Sequence, residues 1–77
     1  MEPFNVKAYE FTLARILGRI HVATPAADVA DLIRRRINRS KDGRALPAEH
    51  KEAIVSLALA IHDTNRDVYI RVMSGRL

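Results

Sequence analysis

The sequence predicts an all-α fold, one three-helix domain whose C-terminal helix is long and apolar. Three observations carry this reading. Apolar residues recur at the three- and four-residue spacing of helices through most of the chain. The two interruptions, Ala23-Thr24-Pro25 and Ser40 to Pro47, hold the residue types that end and start helices. The chain has 77 residues and neither an internal repeat nor a low-complexity segment, so residues 1–77 form one small domain.

The first helix is expected from about Val6 to Val22. Asn5 suits the N-cap, because its side-chain oxygen can accept an unpaired backbone N–H. Phe4 and Tyr9 then fall at the two positions of a hydrophobic staple. Tyr9, Leu13, Ile16, Leu17 and Ile20 make one stripe, and Arg15 and Arg19 point away from it. Phe11 lies off the stripe, near Val22, and is assigned to an interface.

Thr24 precedes a proline, which disfavours the helical region for it. It is read as the N-cap of the second helix, with Pro25 at the first helical position, where a missing N–H costs nothing. The helix is expected to run to about Arg39 on a stripe of Val29, Leu32, Ile33 and Ile37. Asp28 and Asp31 come early and the arginines late, an order that suits the helix dipole. Asp31 and Arg35 are placed to pair one turn apart. Residues 40–44 read as a turn, in which Asp42-Gly43 tolerates positive φ.

Pro47 opens the third helix. Ala53 to Ile61 contains one polar residue, Ser56, in nine. A helix apolar nearly all round is buried on more than one side. Two neighbouring helices would cover much of it, and a dimer partner is expected to cover the rest. His62 to Asp67 is polar, and Val68 to Met73 is rich in β-formers. Continued as helix, Val68 and Val72 stay on the Ile54, Leu57 and Ile61 stripe, and Asp67 and Arg71 can pair. The alternative is α+β with a short terminal β-ribbon against Val6 to Phe11, but a lone two-stranded ribbon is weak. The long helix, ending at Gly75, is preferred.

The net charge is +4, with ten arginines, three lysines and no cysteine. No apolar run approaches the ~18 residues that span a bilayer. The N-terminus lacks the basic start and apolar core of a signal peptide. No membrane association and a cytoplasmic location are therefore expected. A domain this small is marginal alone, and without disulfides it gains burial by association.

The residues offer no catalytic constellation. Ser40 lies in a turn, Ser56 in the apolar run and Ser74 near the end, none with a base and an orienter in view. His21, His50 and His62 lack a second ligand one turn away, so no metal is expected. His62-Asp63 is similar to the dyad of HD-type phosphohydrolases, which need more ligands and a larger fold. His50 is expected to be half-buried beside Ile54 and Leu57, and His62 to be a surface residue. Asp63 and Asp67 read as a solvated acidic patch. The three glycines form no phosphate loop, and no cofactor is implied.

The basic segment is the charged feature with functional content. Arg34, Arg35, Arg36, Arg39, Lys41 and Arg44 put six cations in eleven residues. They suit a phosphate backbone or an acidic protein surface, or else complement a helix end. No aromatic lies among them for stacking on single strands. The layout of short helices before a long apolar one resembles small bacterial nucleoid-modulating proteins of the Hha type and small phage-encoded inhibitors. No motif of either is present, and no residue role carries over.

The expected function is a small protein-binding module (adaptor, regulator or inhibitor), not an enzyme. It is expected to be a homo-oligomer, a dimer, with Phe11, Val55, Leu59, Tyr69 and Met73 at the interface and a protein partner. The alternative is a nucleic-acid-associated regulator using Arg34 to Arg44.

Overall fold

A computed structural model describes residues 4–75. Among these residues there is no strand, and the fold is all-α. A 3-10 turn, Val6–Tyr9, leads into α1 (Glu10–Leu17). Then come α2 (Ala26–Arg39), the single turn α3 (Lys41–Arg44) and α4 (Ala48–Gly75). The β-ribbon alternative is not adopted, because Val68 to Met73 continues α4.

The chain enters as the sequence implies. Asn5 Oδ1 accepts from the Lys7 N–H at 3.1 Å, and the Phe4 and Tyr9 rings meet with centroids 6.1 Å apart. Phe4 also stacks on His50 at 4.0 Å, which leaves that histidine half-buried as expected. The first helix is shorter than expected, however, and stops at Leu17 instead of Val22. Gly18, a poor helix former, follows it. The Arg19 and Ile20 N–H groups then turn back to the Ile16 and Leu17 carbonyls in tight bonds of 3.1 Å. This tightening ends the helix.

α2 starts one residue later than expected. Pro25 takes the N-cap position, and its carbonyl accepts from the Asp28 and Val29 N–H groups. The Thr24 side chain does not cap. Val29, Ala30 and Ile33 are buried, whereas Leu32, expected on the same stripe, is exposed. Asp31 pairs with Arg34 at 3.5 Å instead of Arg35. Residues 41–44 are helical, and no residue with positive φ occurs among those described. Ser40 caps α3 by accepting from the Gly43 N–H at 2.9 Å. Glycine is required at 43 for space: a Cβ there would lie 1.9 Å from the Ile37 carbonyl oxygen.

α2 runs antiparallel to α4. Thr24 meets His62 near one end, and Arg34 and Asn38 meet Glu52 and Lys51 near the other. The core gathers Leu13 and Leu17 of α1, Val29, Ala30 and Ile33 of α2, and Ile54, Val55 and Ala58 of α4. Each fully buried aliphatic side chain contributes roughly 1.5–3 kcal/mol. His62 is 4 % exposed, a correction of its expected surface position. Its burial has a partner: Nε2–H donates to the Thr24 carbonyl at 2.8 Å, tying the α1–α2 connection to α4. Its Nδ1 is buried without a hydrogen-bond partner.

α4 outruns its neighbours. Its 28 residues make a rod ~42 Å long, while α2 begins opposite His62. The molecule measures 51 × 23 × 17 Å with a radius of gyration of 14.0 Å. A rounded domain of this length would have roughly 11.5 Å. Residues 66–75 form a helical arm on which every side chain is exposed.

Candidate interaction surfaces

The arm is the first surface. Ile54, Ala58, Ile61, Asn65, Val68 and Val72 follow one another by alternate steps of four and three, which keeps them on one face of α4. Ile54 and Ala58 are buried, Ile61 and Asn65 half-buried, and Val68 and Val72 exposed. One apolar stripe therefore starts inside the core and ends in solvent. Tyr69 and Met73 widen its outer part, one residue further round the helix.

The largest exposed apolar side chains concentrate here. Seven are exposed among the described residues: Val68, Tyr69, Ile70, Val72 and Met73 on the arm, Phe11 on α1 and Leu32 on α2. Phe11 is 75 % exposed. It follows Glu10, which lines a notch with Ile61, Thr64 and Asn65 at the arm's base. The chain exposes 5958 Å² in all, whereas folded monomers of its mass expose roughly 4,700 Å².

Of the residues expected at an interface, Phe11, Tyr69 and Met73 are exposed, Phe11 on α1 and Tyr69 and Met73 on the arm. Leu59 is half-buried. Val55 is a correction: at 3 % exposure it is a core residue, covered by its own chain. α1 and α2 bury more of the Ala53 to Ile61 run than the sequence implied. The uncovered apolar surface lies two to three turns beyond Ile61, on Val68, Ile70 and Val72.

The basic segment does not act as one patch. Arg34 makes a two-pronged bond to Glu52, Nη2 to Oε1 at 2.9 Å and Nε to Oε2 at 3.1 Å. This hydrogen bonding holds the Glu52 carboxyl below its ordinary value and raises the guanidinium. Arg44 Nη1 donates to the Asn38 and Arg39 carbonyls at 3.2 and 3.4 Å, closing the C-terminal end of α2. Arg35, Arg39 and Lys41 are exposed. Arg36 faces α1, where Arg15 and Arg19 join it around a groove of about 360 Å³. That second surface draws on two arginines outside the segment the sequence singled out.

Among the described residues, no three His, Asp or Glu side chains gather as a metal site, and no helix is long and apolar enough to cross a membrane. Comparison with protein-family models, curated proteins and solved structures finds no match.

Proposed function

We propose that the chain is a small non-catalytic protein-binding module that acts through the projecting face of α4, and that it self-associates there as a dimer. The carrying observation is the continuous stripe from Ile54 to Val72, half in the core and half in solvent. Exposed apolar area in one contiguous strip is unfavourable in water unless something covers it. The cover such a strip fits is another helix: residues at four- and three-residue steps seat between the side chains of a facing helix. A second copy supplies an identical strip. Asn65 sits within the seam, where a single polar residue sets register at some cost in affinity.

The test is sedimentation equilibrium across a range of concentrations. The wild type should be dimeric, and Val72→Asp should be monomeric with unchanged helicity, since Val72 is exposed on the arm. A wild type that stays monomeric at all concentrations rejects the self-association, as does a Val72→Asp variant that still dimerises.

A further inference from the structure

We infer that the groove between α1 and α2 is a second binding site, one that takes an acidic amphipathic helix from a partner protein. It goes beyond the reading of the arm and does not depend on it. The groove is lined by Thr12, Arg15, Ile16, Arg19 and Ile20 from α1 and the turn after it, and by Leu32 and Arg36 from α2.

Its charge is unbalanced. Among the described residues, no carboxylate lies within ion-pair distance of Arg15, Arg19 or Arg36; the pairs that form involve Arg34 and Arg66. Three like charges around one hollow repel each other, and this arrangement is relieved by an anionic occupant. Arginine suits that task, because its planar guanidinium pairs with carboxylates through two parallel bonds.

The floor is apolar. Ile16 and Ile20 are half-buried, and Leu32 is the one exposed large apolar residue away from both the arm and Phe11. Thr12, Ile16 and Arg36 also line an adjoining hollow of about 360 Å³, to which Leu13, Ile33 and Ile37 give apolar surface and Tyr9 and Asp42 polar groups. A ligand that fits has an apolar anchor for this hollow and carboxylates for the rim.

The spacing favours a helix. Arg15 and Arg19 stand four residues apart on one side, and Leu32 and Arg36 stand four apart on the other. A rim with Arg15 and Arg19 on one side and Arg36 on the other, over an apolar floor, complements a helix with an apolar seam and acidic flanks. A nucleic-acid backbone supplies the negative charge but no apolar group for the floor formed by Ile16, Ile20 and Leu32.

Fluorescence anisotropy tests this with a labelled helical peptide that carries leucines on one face and glutamates on the flanks. A scrambled peptide of the same composition and a labelled DNA duplex serve as comparisons. The amphipathic peptide should bind best. Arg15→Gln, Arg19→Gln and Arg36→Gln should each weaken it about tenfold, the equivalent of one charge-assisted bond. Arg35→Gln, outside the groove, should leave binding unchanged. These are exposed side chains, so the variants should fold. Val72→Asp should bind the peptide like the wild type; loss of binding there would place the peptide on the arm and overturn the assignment. Absence of binding, equal binding of the scrambled peptide, or tighter binding of the duplex through the same three arginines would overturn it too.

Discussion

The two halves of α4 have similar periodicity and opposite surroundings. From Ala48 to Asn65 the helix lies against α1 and α2, and Ile54, Val55, Ala58 and His62 are buried. From Arg66 to Gly75 it stands alone, and Val68 and Val72 occupy the same stripe in solvent. The difference shows that a helical stripe specifies a face but not its cover. The cover ends where the neighbouring chain ends, and α2 begins opposite His62. Beyond that point the helix is held mainly by its own hydrogen bonds. A segment of this length is marginal in isolation, but here the covered half already supplies the nucleus.

The largest expected effect breaks the comparison at its centre. Ile54→Ala removes a fully buried side chain and should cost about 2–5 kcal/mol, the range for large-to-small changes in a core. Val68→Ala lies on the same stripe. In the monomer it should change stability by no more than about 0.5 kcal/mol, as surface changes do. Urea unfolding at low protein concentration checks both. At high concentration the proposed self-association should add stability to the wild type that Val68→Ala loses. Equal costs at low concentration would mean that the arm folds back onto its own chain.

His62 marks the boundary between the halves, and its effect should be intermediate. His62→Ala removes the bond to the Thr24 carbonyl and leaves a gap in the core. A loss of about 1–3 kcal/mol is expected in urea unfolding, because a buried group left unpaired costs its desolvation. His62→Leu restores apolar bulk but not the donor, and should recover part of that loss. Full recovery would show that packing, and not the Thr24 bond, fixes the α1–α2 connection.

Several local features of this fold are legible in the sequence. The Asn5 cap, the Phe4–Tyr9 staple and the continuation of α4 through Val68 to Met73 each depend on residues a few positions apart. Local pattern also misleads, as at the Thr24 cap, at the 41–44 turn and in the choice of Arg34 by Asp31, and other features depend on residues distant in sequence. His62 looked like a surface residue because its partner is a backbone carbonyl 38 positions away. Val55 looked available because the sequence does not state how much of Ala53 to Ile61 two helices can cover. Adjacency in the sequence groups the arginines, but folding separates them: Arg34 pairs with Glu52, Arg44 closes the end of α2, and Arg36 joins Arg15 and Arg19. The end of α1 at Leu17 was the local feature most easily missed, since Ile20 and Val22 prolong the apolar pattern past Gly18.

The smallest expected effect belongs to the Arg34–Glu52 pair, which ties the covered half of α4 to α2 and has no counterpart on the arm. Both side chains are exposed, so their contribution is screened and modest. Its sign is nonetheless fixed. The hydrogen bond from Arg34 lowers the Glu52 carboxyl below its ordinary value. The folded state therefore favours the ionised form more than the unfolded chain does. That contribution is complete above the pH at which the unfolded carboxyl titrates, and it fades as the pH falls through the lowered folded value. Unfolding midpoints of the wild type and Glu52→Gln should thus differ by a constant amount near neutrality and converge in acid. A difference that persists unchanged into acid would locate the effect of the substitution in packing or helix propensity, and would remove the ion pair from the account of what holds the covered half in place.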